Sequence, residues 1–213
     1  MKTMTAFRAA IDAAPVVPVL TVEDAAHAEP LAEALVKGGM TSAEITLRSP
    51  AALDVIRIMK AAQDRLLVGA GTIISEGDVD AALKAGADFL VTPGTSPLLL
   101  DALGRHDGVI LPGISTASEA MARFDEGYGV LKFFPAEAAG GAKFLKSLAG
   151  PLPHMDFMPT GGITPDNAAD YLSLPNVIAV GGSWIATKDE MARGDWSAIT
   201  EKAKAATKLR RGS

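Results

Sequence analysis

Short apolar runs alternate with helical patterns along the chain, and this alternation limits the possible folds more than any other feature. Eight runs occur at a spacing of roughly two dozen residues, as expected for strand–helix units of a parallel sheet. The runs are Val16–Leu20, Ala43–Leu47, Leu66–Ala70, Phe89–Thr92, Val109–Leu111, Val130–Phe134, Met155–Met158 and Val177–Val180. Segments with helical periodicity lie between them, for example at Asp24–Val36, Ala51–Ala62, Gly77–Lys84, Ser118–Phe124 and Gly141–Leu148.

Turn and capping residues support the same alternation. Gly38-Gly39 and Gly86 stand where helices should end before the next strand. Ser75 and Thr116 are suited to cap the first turn of a helix. Thr164-Pro165 predicts a further helix start, because proline fits the first helical position.

Eight strand–helix units predict a (β/α)8 TIM barrel, in which helices surround a closed ring of parallel strands. An open doubly wound sheet is the second possibility, but no G-x-G-x-x-G motif follows the first run, and glycines cluster after the last two. Residues 1–14 are predicted to form an extra N-terminal helix that closes the lower end of the barrel. No linker or shift of composition interrupts the chain, so we predict one domain, 1–213, whose tail, 205–213, frays.

Charge and composition argue against several kinds of partner. The net charge is −5 and no basic patch with interleaved aromatic residues occurs, so we expect binding to neither nucleic acid nor membrane. Residues 1–14 lack the apolar core of a signal peptide, which favours the cytoplasm. The absence of cysteine leaves no thiol chemistry. His27, His106 and His154 show no metal-ligand spacing, so we predict no metal site.

One lysine, Lys132, interrupts the apolar run Val130–Phe134. Burying an ammonium group is costly unless it is paired or loses its proton, so Lys132 has either a strong partner or a role as a neutral amine. A neutral lysine amine is a nucleophile for carbonyl groups. The alternative is that the aliphatic stem is buried while the ammonium group reaches solvent.

Polar residues also occupy one face of the second predicted strand. Residues 43–48 alternate, so that Glu44, Thr46 and Arg48 share the face that points into the barrel. A carboxylate such as Glu44 beside Lys132 would place an acid/base and a nucleophile in one pocket. Arg48 can bind a carboxylate through two parallel hydrogen bonds. The alternative is a buried Glu44–Arg48 ion pair with a structural role only.

Glycine and hydroxyl residues cluster after the last two strands. Thr160-Gly161-Gly162-Ile163 follows the seventh run, and Gly181-Gly182-Ser183-Trp184 follows the eighth. Loops at these positions bind phosphate in many barrels, because glycine lets an anion approach backbone N–H groups. Thr72, Pro93 and residues 112–115 are weaker candidates at other strand ends. Alternatively, these glycines only allow tight turns and bind no ligand.

These residues together resemble the 2-keto-3-deoxy-6-phosphogluconate (KDPG) aldolase family, whose members often also act on 4-hydroxy-2-oxoglutarate (KHG). The matching segments are Pro15–Val19, Glu44–Arg48, Gly69–Thr72, Pro112–Thr116, Lys132–Glu137, Pro159–Ile163 and Gly181–Trp184. The resemblance implies a class I (Schiff-base) aldolase, a homotrimeric lyase without cofactor. Such an enzyme cleaves KDPG to pyruvate and D-glyceraldehyde 3-phosphate in the Entner–Doudoroff route of carbohydrate metabolism.

The resemblance also implies a role for each matching residue. Lys132 would form the Schiff base, and Glu44 would be the general acid/base. Arg48 would hold the pyruvate carboxylate, with Thr72 nearby. Two further positions, Pro93 and Phe134, would line the pocket. The family's phosphate-binding positions fall on Thr160, Gly161, Gly162 and Ser183.

Three positions depart from the family pattern. Val130-Leu131 replaces a Glu-Phe pair or similar before the lysine, and Thr92 replaces a common serine before Pro93. Thr21 stands near where relatives acting on the galactonate-derived epimer carry arginine, which favours the gluconate-type substrate. Two other interpretations stay open: a phosphate-binding barrel such as a sugar-phosphate epimerase, in which Lys132 only neutralises charge, and an engineered, cysteine-free scaffold.

Overall fold

The computed structural model describes residues 2–209, in which parallel strands alternate with helices in an α/β fold. The strands are β1 (Val16–Leu20), β2 (Ser42–Thr46), β3 (Leu67–Gly71), β4 (Phe89–Val91), β5 (Val109–Leu111), β6 (Gly113–Ile114), β7 (Val130–Phe133), β8 (Asp156–Pro159) and β9 (Val180–Gly182). The helices are α1 (Met4–Ala13), α2 (Ala28–Lys37), α3 (Ala52–Ala62), α4 (Glu76–Lys84), α5 (Pro97–Gly104), α6 (Ala117–Asp125), α7 (Gly141–Leu148), α8 (Ala168–Leu172), α9 (Lys188–Arg193) and α10 (Trp196–Ala206).

The strands form two curled sheets in which the named strand pairs run parallel. One sheet has the order β5-β4-β3-β2-β1-β9, and the other has the order β6-β7-β8. Pro112 alone separates β5 from β6, so these two strands correspond to the fifth predicted run. Isolated parallel bridges, Phe157–Val177 and Thr160–Gly181, link the second sheet to the chain around β9.

The last predicted strand lies further along the chain than its apolar run suggests. The run Val177–Val180 predicts a strand, but β9 is Val180–Gly182. Pairing with β1 decides the boundary, because Val180, Gly181 and Gly182 stand in register with residues 16–18. Val177 makes only the isolated bridge to Phe157.

Two hydrophobic clusters lie on opposite faces of the strands. The outer cluster joins alternate strand residues, such as Ala43, Ile45 and Leu131, to the surrounding helices. The inner cluster lies on the concave face and includes Phe7 and Ile11 of α1. The inner strand and loop residues are Val17, Phe89, Val91, Val109, Leu111, Val130, Met158, Ile178 and Ala179. Helix α1 therefore packs over the start of several strands.

Polar contacts hold α1 in this position. Arg8 forms an ion pair with Asp156 at 2.6 Å, and the Thr41 hydroxyl donates to the Ala10 carbonyl at 2.7 Å. The ring of Phe7 packs against Phe89 with centroids 5.1 Å apart. None of the helices within residues 2–209 is long and apolar enough to span a membrane.

The caps agree with the sequence prediction at α4 and α6 but not at α8. Ser75 and Thr116 accept hydrogen bonds from the first turns of α4 and α6. The predicted helix start at Thr164-Pro165 is wrong, because α8 begins at Ala168 after Asn167. The Asn167 side chain bonds to the preceding backbone, and such local bonds favour a turn over a helix. At the other end, Ala205 and Ala206 belong to α10, and residues 210–213 of the predicted fraying tail lie outside the described residues.

Candidate active site

Lys132 and Glu44 form a buried pair between two sheets. Lys132 lies on β7 and shares the inward face of that strand with Val130, whereas Glu44 lies at the centre of β2. The Nζ atom of Lys132 donates to Glu44 Oε1 at 3.2 Å. Only 4% of Lys132 and none of Glu44 is exposed. Lys132 therefore does not reach solvent as a surface lysine would, and its neighbour is the carboxylate that the strand alternation predicts.

The Glu44 carboxylate keeps one oxygen available. Oε2 of Glu44 is buried and has no hydrogen-bond partner among residues 2–209. Buried polar atoms are nearly always hydrogen-bonded, so an exception needs an explanation, and a catalytic role is one such explanation. A carboxylate with one oxygen on an amine and one free oxygen can exchange protons on both sides.

Gly71 provides the space that Glu44 occupies. Gly71 ends β3, next to β2, and a Cβ atom added there would lie 2.0 Å from Glu44 Oε1 and 2.6 Å from its Cδ. The Glu44 carboxylate can therefore occupy this position only because Gly71 has no side chain. The sequence motif contains Gly71, but its contact with Glu44 depends on strand register.

A cavity of about 300 Å³ opens next to Lys132. The phenyl ring of Phe134 lies on one side of the lysine, with Nζ 5.2 Å from the ring centroid. Arg48, which is exposed, also lines the cavity. The cavity is lined by Val19, Thr46, Arg48, Thr72, Pro93, Lys132, Phe134, Thr160, Gly161, Gly162, Ile163, Gly181 and Ser183. Every residue to which the family resemblance assigns a role is in this lining except Glu44, which is fully buried and bonded to Lys132.

Thr72 has an unusual backbone conformation in the cavity wall. Its φ is +62°, in the left-handed region that costs a β-branched residue on the order of 1–3 kcal/mol. Backbone hydrogen bonds to neighbouring strand segments hold the residues on both sides of Thr72. The Gly71 carbonyl accepts from the Leu47 N–H at 2.9 Å, and the Ile73 N–H donates to the Val91 carbonyl at 3.2 Å. The surrounding bonds therefore hold Thr72 in a conformation that its side chain disfavours.

The two glycine segments meet at one end of the cavity. Gly161 and Gly162 have φ of +102° and +78°, which only glycine adopts readily. A Cβ atom on Gly181 would lie 2.2 Å from Thr160 Oγ1, so the segments touch. The buried Thr160 hydroxyl has no partner among residues 2–209. This end thus presents glycine backbone and hydroxyl groups, which suits an anion.

The comparisons with known proteins agree with this geometry. The model of the KDPG and KHG aldolase family matches residues 7–202. The chain belongs to the KDPG and KHG aldolase family. A 2-dehydro-3-deoxy-phosphogluconate aldolase of Pseudoalteromonas atlantica is 49% identical over 90% of this chain and 89% of its own length. The KHG/KDPG aldolase of Escherichia coli K12 is 44% identical over 90% of each chain.

A solved member of the aldolase family is also closely similar in structure. The KDPG aldolase of Legionella pneumophila has a TM-score of 0.90 and 41% identity, covering 93% of this chain and 97% of its own. That structure holds pyruvate captured as a covalent carbinolamine intermediate.

Four lining residues received no individual role from the family resemblance: Val19, Thr46, Ile163 and Gly181. Thr46 shares the inward face of β2 with Glu44, so strand alternation was the available signal. Its hydroxyl lies 2.8 Å from the Thr21 hydroxyl and 3.1 Å from the Leu20 carbonyl. These bonds fix the side chain at the wall of the cavity.

Other candidates lie away from the cavity. Residues 112–115 are not in its lining, and Gly113 instead packs against Pro93. His27 contacts Trp196, and His106 and His154 are also absent from the lining. Within residues 2–209 no group of three histidine or carboxylate residues could hold a metal ion.

Proposed function

We propose that the chain is a class I aldolase that cleaves KDPG to pyruvate and D-glyceraldehyde 3-phosphate, and that it also cleaves KHG. The observation that carries this proposal is the buried Lys132–Glu44 pair, 3.2 Å apart, beside a cavity with an arginine and glycine loops in its lining. Family membership and the activities named for the relatives support the same reaction.

In this proposal the cavity binds both charged ends of the substrate. Arg48 binds the C1 carboxylate, since a guanidinium group matches two carboxylate oxygens. Thr72 lies nearby in the lining, and Pro93 and Phe134 provide apolar walls. The phosphate group lies against Thr160, Gly161, Gly162 and Ser183, where glycine lets an anion reach the backbone. Fixing both ends aligns the reacting bond with Lys132.

The first stage joins the substrate to the enzyme. Transfer of the proton from Lys132 Nζ to Glu44 gives a neutral amine and a carboxylic acid. The amine attacks the C2 ketone to form a carbinolamine, whose hydroxyl group leaves as water after Glu44, which is outside the cavity lining, protonates it through a bridging water. The product is an iminium ion on Lys132, and Glu44 is again a carboxylate.

The second stage breaks the carbon–carbon bond. Through the same bridging water, Glu44 removes the proton of the C4 hydroxyl, the C3–C4 bond breaks, and the electrons of that bond pass to the iminium nitrogen. D-glyceraldehyde 3-phosphate leaves, and an enamine of pyruvate remains on Lys132. Protonation at C3 restores the iminium ion, and hydrolysis releases pyruvate and the free lysine.

The proposal also covers the fold, because we infer that the two sheets together form a closed ring of strands. We place the two sheets in a (β/α)8 barrel with α1 over its lower end and with 1–213 as one domain. Parallel pairing of β1 with β9, the two isolated bridges and the short gap at Pro112 support closure. We also propose that the chain assembles as a homotrimer, as the family resemblance implies, and that it is located in the cytoplasm. Light scattering on the purified protein would test the trimer.

Pyruvate release is the direct test of the activity. A coupled assay with lactate dehydrogenase and NADH should be run on KDPG, its galactonate epimer and KHG. We expect the highest kcat/KM with KDPG, because no arginine stands at Thr21, and measurable turnover with KHG. Absence of pyruvate from KDPG would refute the proposal, and conversion of a sugar phosphate without pyruvate would favour an epimerase.

A further inference from the structure

The loop formed by residues 160–164, here called the phosphate loop, is fixed through three successive carbonyl groups. The carbonyls of Thr160 and Gly161 accept from the backbone N–H groups of Ala136 and Glu137, at 2.8 and 3.1 Å. The carbonyl of Gly162 accepts instead from the side chain of Asn167, at 3.2 Å. The first two bonds join backbone to backbone, whereas the third depends on the side chain of one residue.

Asn167 holds the loop at two points. Its Nδ2 donates to the Gly162 carbonyl, and its Oδ1 accepts from the Thr164 N–H at 2.8 Å. The Gly162 carbonyl and the Ile163 N–H belong to one planar peptide unit. Fixing the carbonyl therefore fixes the direction of that N–H, and both Gly162 and Ile163 line the cavity.

Tyr171 supports the loop from the same side, four residues further along. Its ring is buried, and its hydroxyl donates to the carboxylate of Glu137. Burial first, and then the hydrogen bond and charge of Glu137, raise the pKa of the Tyr171 hydroxyl, so that it stays a donor. The stem of Glu137 packs against Gly162, where an added Cβ would lie 2.7 Å from Glu137 Cβ and Cγ.

We propose that Asn167 and Tyr171 are positioning residues of the phosphate loop, which set the affinity for the phosphate group of the substrate without taking part in bond cleavage. Neither residue is in the cavity lining, so each acts through Gly162. The inference rests on the proposed aldolase function. Glu137 ends the matching segment Lys132–Glu137, and its contacts with Tyr171 and Gly162 give it a role in holding the loop.

Two substitutions test the proposal. Asn167→Ala removes both bonds of the side-chain amide, and Tyr171→Phe removes one hydroxyl while the buried ring stays. Ser173→Ala, at the end of α8, and Tyr128→Phe, the chain's other tyrosine, are the matched controls. Each variant should be measured with KDPG and with 2-keto-3-deoxygluconate, which differs only by the phosphate group.

We expect the KM for KDPG to rise about 5- to 30-fold in Asn167→Ala, the effect of losing one or two neutral hydrogen bonds, and by a smaller factor in Tyr171→Phe. The kcat for KDPG and the kcat/KM for 2-keto-3-deoxygluconate should not change. Competitive inhibition by inorganic phosphate should weaken by the same factor as KDPG binding. Both controls should match the wild type.

Equal losses on both substrates, or an unchanged KM for KDPG in both variants, would overturn the proposal. If Asn167→Ala does not fold, Tyr171→Phe alone decides the outcome. If the wild type releases no pyruvate from KDPG, the proposed function fails. Calorimetric titration of wild type and variants with inorganic phosphate then tests the loop separately. Weaker phosphate binding in the variants would support the positioning role of Asn167 and Tyr171, and equal binding would overturn it.

Discussion

Gly71→Ala should displace Glu44, the proposed acid/base, although Gly71 itself carries no reactive group. The added Cβ would lie 2.0 Å from Glu44 Oε1, whereas a carbon–oxygen contact needs about 3.3 Å. The carboxylate must therefore move by about 1.3 Å. Glu44 is fully buried, so it can move only by displacing packed neighbours.

The size of the effect follows from that displacement. The Lys132–Glu44 bond is already 3.2 Å long, so a further ångström breaks it. Misplacing a reacting group by about 1 Å can cost roughly 10²-fold, and loss of a general acid/base costs about 10²–10⁴-fold. We expect kcat for KDPG to fall by about 10²–10³-fold. Overpacking should also lower the free energy of unfolding by about 1–3 kcal/mol.

The assay is pyruvate release from KDPG, with urea denaturation to measure stability. Gly77→Ala is the matched control, because a Cβ there meets only Ser75 Oγ, at 3.7 Å, on exposed α4. That control should keep kcat and gain up to about 1 kcal/mol from helix propensity. A folded Gly71→Ala variant with the wild-type kcat would refute the argument that Gly71 positions Glu44.

Three further predictions concern other parts of the molecule. Arg48→Gln should raise the KM for KDPG in the coupled assay about 10- to 100-fold, because a charge-assisted bond of about 1.5–3 kcal/mol is lost; an unchanged KM would exclude Arg48 from carboxylate binding. Burial tends to raise the pKa of Glu190, but the bonds from Lys202 and Thr187 outweigh it and lower the pKa from 4.5 to about 2. The stabilisation by Glu190 is therefore present above pH 4.5 and lost as the pH falls towards 2. Chemical denaturation should show Glu190→Gln less stable than the wild type at pH 7, by an amount that shrinks below pH 4.5; a constant difference would contradict the shift. Phe7→Ala should cost about 3–5 kcal/mol of unfolding free energy with KM unchanged, and an altered KM would mean that α1 influences the site.

Strand alternation and glycine positions could be predicted because both are local. Period-two patterning places Glu44 and Lys132 on inward faces, since successive side chains point to opposite sides of a strand. The glycines after α2 and α4 mark helix ends because Gly39 and Gly86 adopt positive φ. These signals are enough for the order of elements and for most of the cavity lining.

Features that depend on tertiary contacts could not be predicted. Propensity argues against a left-handed φ for the β-branched Thr72, yet bonds on both sides hold it there. The start of α8 is set by the bonds of Asn167 to the phosphate loop, which a helix-capping rule based on Thr164 cannot include. The space that Gly71 gives to Glu44 depends on the register of β2 and β3.

Trapping with pyruvate and sodium borohydride shows which lysine is the nucleophile. Borohydride reduces an iminium ion to a stable secondary amine, so mass spectrometry of a digest identifies the lysine that reacted. We expect a pyruvate adduct on Lys132, loss of aldolase activity in proportion to labelling, and no adduct in Lys132→Arg. No adduct, or an adduct on another lysine, would contradict the assignment of Lys132 as the nucleophile.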